Sequence, residues 1–196
     1  MKKYRIFIPF YSIAMLLMLS VNPPDLQAET KRYKRTLAAY SIPDVTLINQ
    51  DREEVNLKDF LNSGKPVLLD FIYSTCTTIC PVLSAGFSNM QKKLGPNVDK
   101  VHFVSISIDP EYDTPERMRQ YLDRYRAKPG WNYFTGTRKD IETAMYAFDA
   151  YVPNKMSHYP LTFLWKPGNK EWVRIYGMIS TKDLMSEYKL LLNENK

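Results

Sequence analysis

From residue 41 onward the chain alternates between short, nearly unbroken apolar runs and longer stretches where apolar residues recur every third or fourth position. Pro66-Val67-Leu68-Leu69-Asp70-Phe71-Ile72-Tyr73 and Val101-His102-Phe103-Val104-Ser105-Ile106-Ser107-Ile108 are runs of the first kind. They predict strands buried in a parallel or mixed sheet. Val82, Leu83, Phe87, Met90 and Leu94 carry helical spacing, and Gly95-Pro96-Asn97 stops that helix. Thr114 is placed to cap a second helix, with Pro115 at its first position and Arg126 near its end.

Trp131 to Phe134 predicts a short strand, and Ile141, Met145 and Phe148 line one face of a helix starting at Arg138. Pro160 to Trp165 and Trp172 to Tyr176 flank the turn Lys166-Pro167-Gly168-Asn169-Lys170 as an antiparallel pair. Ser180 caps a last helix that turns Leu184, Tyr188 and Leu191 inward. Ahead of all these, a small hairpin is expected. It runs from Ser41 to Ile48, turns at Asn49 to Arg52 and returns from Glu54, and one helical turn, Leu57 to Leu61, follows it. This order lets helices cover both faces of one central sheet. It predicts an α/β thioredoxin-like sandwich over residues 41–196, a central mixed sheet flanked by helices with an N-terminal hairpin.

The chain has 196 residues, enough for one domain with a sizeable core and hardly enough for two. Its first 28 residues follow another pattern. Met1-Lys2-Lys3-Tyr4-Arg5 is basic, Ile6 to Val21 is mostly apolar, and Leu26-Gln27-Ala28 offers a processing site. That is the order of a secretory signal. An uncleaved membrane anchor is the other reading, although the run is short for a spanning helix of about 20 residues. Either reading exports the chain, to the periplasm or to the periplasmic face of the inner membrane. Residues 29–40 are polar and basic and read as a linker.

Part of the net charge of +6 sits in Lys2, Lys3 and Arg5. The densest basic stretch holds Arg117, Arg119, Arg124, Arg126 and Lys128, but Asp113, Glu116 and Asp123 interrupt it. It reads as the solvated face of a helix, so no nucleic-acid partner is expected.

Only two cysteines exist, Cys76 and Cys80. A bridge between them closes too small a loop to constrain the unfolded chain much, so a chemical role is favoured over a structural staple. The pair follows a buried strand and opens a helix, with Cys76 expected near the N-cap and Cys80 a turn later. Residues four apart share a helix face, so the sulfurs can converge. The free N–H groups and positive dipole end of the first turn favour a thiolate. Two soft sulfurs suit Cu(I), zinc or disulfide exchange. A structural zinc site wants four protein ligands, and beyond the pair the chain has only His102 and His158 as imidazoles. A three-coordinate Cu(I) site needs one further donor.

His102 lies well before the C-terminal end of its strand and reads as a strand residue. His158 precedes the strand that begins at Pro160. In a thioredoxin-like sheet that strand runs opposite to the cysteine strand, which brings its start beside the cysteines. Pro160 stands where such folds place a cis-proline, and a trans proline at a strand start is equally permitted. Asp109, at the end of a strand, either faces the cysteines or caps a loop N–H. Met156 is either a weak soft ligand or a loop anchor.

Three segments together, FIYSTCTTICPVLSAGFSNMQKKLG, FVSISIDPEYDTPERMRQYL and MSHYPLTFLW, resemble the Sco/SenC family of copper-binding thioredoxin-like proteins. The resemblance covers most of the chain after about Ser41. It implies a copper ion, Cu(I) or Cu(II), held by Cys76, Cys80 and His158 with Asp109 near the site. It also implies assembly of the dinuclear copper site of cytochrome oxidase, or reduction of the cysteines there. The implied partner is a copper-enzyme subunit or another copper chaperone, met by a monomer. Thr77 stands where the family often has proline, and Pro160 follows His158 where many members lack one. Pro160 makes the site resemble a general thiol-disulfide reductase, in which Cys76 and Cys80 are catalytic. Copper delivery and cysteine reduction therefore both stand as readings of the sequence.

Overall fold

Strands β4 (Val67–Ile72) and β5 (His102–Ser107) are buried along their whole length, as their apolar runs require. They pair in parallel at the centre of an eight-stranded mixed sheet. The computed structural model describes residues 32–193, so the expected signal or anchor over residues 1–28 lies outside the described residues. Around the central pair the chain adds β1 (Tyr33–Ala38), β2 (Thr46–Asn49), β3 (Glu54–Asn56), β6 (Trp131–Thr135), β7 (Leu161–Trp165) and β8 (Trp172–Gly177). The spatial order is β1-β8-β7-β4-β5-β6-β2-β3. β6 continues the parallel set beside β5, whereas β7 runs antiparallel to β4. This is the mixed thioredoxin-like sheet expected from the sequence.

Helices α1 (Leu57–Leu61), α2 (Cys80–Leu94), α3 (Pro115–Arg124), α4 (Arg138–Ala147) and α5 (Thr181–Asn193) cover it. Alternation along the strands divides the helices between two faces. Phe103 meets Phe87 of α2 edge-on at 5.4 Å, and Tyr133 meets Tyr121 of α3 at 5.6 Å. On the other face Phe71 packs on Phe148 at the end of α4, and Phe134 on Phe60 of α1. Thr114 caps α3 by accepting the Arg117 amide.

Three local expectations need correction. The first is the linker, residues 29–40, which contains β1. That strand pairs with β8 from Tyr33 opposite Gly177 to Ala38 opposite Trp172. Tyr33 turns inward and donates to Glu187 of α5, which also takes the Arg35 guanidinium. A half-exposed edge strand shows too few apolar residues to be seen in sequence. Gly177 is required where β1 starts, because a Cβ there would lie 2.6 Å from the Arg32 carbonyl. Second, the strand expected from Ser41 begins only at Thr46. Third, the N-cap of α2 is Ile79 and its first residue Cys80, so Cys76 stands ahead of the cap and Cys80 is not a turn into the helix.

Among the described residues no peptide bond is cis, so Pro160 takes the trans form. Its carbonyl accepts the Gly177 amide at 2.9 Å and ties the start of β7 to the end of β8. No described helix is long and apolar enough to cross a membrane.

Candidate metal centre

The centre lies where β4 ends and β7 begins. Asp70 of β4 pairs with Thr162 of β7 in antiparallel register. The residues following β4 and those preceding β7 therefore leave the sheet at the same end. Tyr73 to Cys80 comes from the first strand, and the loop ending in His158 leads into the second.

After β4 the chain makes a turn closed by the Cys76 amide donating to the Tyr73 carbonyl at 3.1 Å. Cys76 therefore sits in a loop ahead of α2, and Cys80 is the first residue of the helix. Pro81 falls in the first turn, where a missing N–H costs nothing. Ile79, at the cap position, offers no side-chain acceptor. The Cys76 sulfur fills that role and accepts the Cys80 amide at 3.4 Å, with the Thr78 hydroxyl 3.7 Å away. Burial works against ionising Cys76, but these contacts outweigh it and hold the thiol below its usual range. Cys80 is fully buried. Burial, followed by the neighbouring Cys76, pushes its thiol far above the ordinary value.

His158 ends a single 3-10 turn, Lys155–Ser157, begun by Asn154, whose side chain accepts the Met156 amide. Its Nδ1 lies 2.9 Å from the Lys155 carbonyl. A carbonyl only accepts, so Nδ1 carries the proton. The free lone pair of Nε2 then faces Cys80 Sγ at 3.2 Å. Burial lowers the imidazole's pKa against the opposing hydrogen bond to Lys155, which keeps the ring neutral and able to accept a proton or bind a metal. The donor atoms of Cys76, Cys80 and His158 all lie within 4.8 Å of one another.

The other expected residues take supporting places. The buried Asp109 carboxylate pairs with Lys155 Nζ at 2.5 Å and reaches His158 only through that lysine. Met156 is 73% exposed and accepts the Tyr73 hydroxyl on its sulfur at 3.4 Å, which makes it a loop contact beside the centre. His102 sits at the opposite end of the sheet, with Nε2 2.7 Å from Ser63 Oγ and its ring against Phe60.

Two residues of the centre were missed in sequence. Tyr73 packs its ring edge-on to His158 at 5.1 Å, and burial together with the nearby Cys76 pushes its hydroxyl up to about 12. It reads as the last residue of an apolar strand. Asp113, buried beneath the cysteine loop, reads as one more polar residue of a turn. Its only signal was its place just past the end of a buried strand.

The SCO1/SenC family model matches residues 34–189. The chain belongs to the SCO1/SenC family. The SCO1 protein homolog of Bacillus subtilis is 32% identical over 161 residues, which cover 76% of this chain and 82% of that one. A structure of BsSco, described as a member of the Sco family of cytochrome c oxidase assembly proteins and reported with a disulfide switch, is 28% identical with a TM-score of 0.67. It covers 82% of this chain and 98% of its own. Bradyrhizobium japonicum ScoI, solved with copper bound, is 26% identical with a TM-score of 0.64, over 79% of this chain and 99% of its own. The SCO1/SenC match begins inside β1, so that strand belongs to the region shared with the family.

Proposed function

We propose that this protein binds copper through Cys76, Cys80 and His158 and hands it to a respiratory copper enzyme such as cytochrome oxidase. The observation that carries the reading is the convergence of two sulfurs and an imidazole nitrogen within 4.8 Å. Copper bound to ScoI and the assembly role stated for BsSco support it. Copper is cargo here. Two thiolates satisfy Cu(I), and Cu(II) gains more from the nitrogen. Loading removes the proton of Cys80, whose sulfur faces the open lone pair of His158. A histidine carried on a short loop can leave the metal without disturbing the sheet, which suits release by ligand exchange. The working form is exported, in the periplasm or on the periplasmic face of the inner membrane. It acts as a monomer and meets a copper-enzyme subunit or another copper chaperone.

The unequal thiols favour a second reading, reduction of a partner's disulfide. The Cys76 thiolate attacks one partner sulfur, and the partner's S–S bond breaks with release of a thiolate. Cys80, once deprotonated, attacks the Cys76 sulfur of that mixed disulfide, expels the partner sulfur bound there as a second thiolate and leaves a Cys76–Cys80 disulfide. That route needs no imidazole ligand. Rescue of copper-enzyme assembly in cells lacking the protein separates the two. Wild type should rescue, while folded His158→Ala and Cys80→Ser should both fail. Full rescue by His158→Ala with none by Cys80→Ser would replace delivery with reduction.

A further inference from the structure

Asp113 leaves β5 in a tight turn, where its backbone amide bonds to the Asp109 carbonyl at 2.9 Å. Its fully buried carboxylate gathers donors from three directions. The Ser74 amide lies 3.2 Å from each oxygen, and the Ser74 hydroxyl donates as well. Ser107 at the end of β5 donates at 2.6 Å, and Tyr133 of β6 at 2.7 Å. A carboxylate buried this deeply is tolerated because its oxygens are satisfied.

What Asp113 holds is the turn that carries the centre. Ser74 lies inside the turn closed between Tyr73 and Cys76. At one end of that turn Tyr73 packs on His158, and at the other Cys76 presents its sulfur to the Cys80 amide. Rotating the turn would displace a ligand sulfur and the ring supporting the ligand nitrogen together. We propose that Asp113 is a positioning residue for the centre, acting through Ser74 to fix Cys76 Sγ relative to Cys80 and His158. The inference rests on the reading of these three residues as the working site.

The test uses the full chain as wild type, Ser74→Ala, Asp113→Asn and the double variant, each checked for folding by circular dichroism. Two quantities are read. One is copper affinity with the Cu(II)–thiolate absorption band, and the other is the Cys76–Cys80 disulfide equilibrium against glutathione. Each single variant should weaken copper binding about tenfold, within the range found for residues that orient metal ligands. Each should also move the disulfide equilibrium about tenfold, or about 30 mV for a two-electron couple. The double variant should match Asp113→Asn within about twofold, because Ser74 acts only through that carboxylate. If Asp113→Asn does not fold, Ser74→Ala alone carries the test, since its side chain is only half-buried. A folded Ser74→Ala with both quantities within twofold of wild type would overturn the proposal, as would losses that multiply in the double variant. Wild type that binds no copper would instead refute the copper reading, and the disulfide equilibrium would still decide on the clamp.

Discussion

At the residue scale, neighbouring groups of one type are driven apart by their surroundings. Cys76 has a helix amide and a hydroxyl to steady a thiolate, whereas Cys80 has burial and a neutral imidazole. Asp70 shows the same logic without a partner. It is fully buried on the face of β4 that looks toward α2, with no hydrogen-bond partner at contact distance for either oxygen. Burial raises its carboxyl to about 7, and the Ser105 hydroxyl nearby offsets only part of this. An acid whose folded pKa lies above its unfolded value favours folding while protonated, and that stability is lost as pH rises through the folded pKa. The loss between pH 4 and 8 is on the order of 4 kcal/mol, from about 1.4 kcal/mol per unit. Asp70→Asn should therefore gain stability relative to wild type as pH rises from 5 to 8, measured by urea unfolding of the reduced proteins. Parallel curves would reject this assignment. His158 was legible in sequence because a strand start and a topology place it. Asp113 and Tyr73 were not, because their roles depend on strand ends that meet only in three dimensions.

At the scale of elements, the central strands were readable because burial on both faces makes them apolar throughout. β1 was not, because an edge strand is held by its ladder and by a few inward side chains. The buried Glu187 of α5 receives Tyr33 and Arg35 from that strand. Tyr33→Phe should cost about 1.5 to 3 kcal/mol, the usual worth of a hydrogen bond to a charged group, and should lower the thermal midpoint while copper binding is unchanged. A variant as stable as wild type would show that the ladder to β8, and not this hydrogen bond, holds β1 in place. The N-cap of α2 was misplaced by three residues for a physical reason. In sequence the pair looks like two positions on one helix face, but the cap of α2 is the Cys76 sulfur, and a residue that caps a helix stands outside it.

At the scale of the whole molecule, one topological fact assembles the centre. β7 runs against β4, so a residue some eighty positions further along the chain lands beside the second cysteine. The N-terminal pattern predicts that this domain is delivered by export, with cleavage before Glu29. Intact mass of the protein from the envelope fraction should begin at that residue, and a full-length product held in the membrane would establish the anchor instead. The most direct test of the central claim is copper titration of the purified protein in both redox states. The reduced chain should bind one copper and the disulfide form none. His158→Ala should weaken Cu(II) binding strongly and Cu(I) binding less, and His102→Ala, at the far end of the sheet, should change neither. Copper bound equally by the oxidised protein, or equal behaviour of the two histidine variants, would contradict the account.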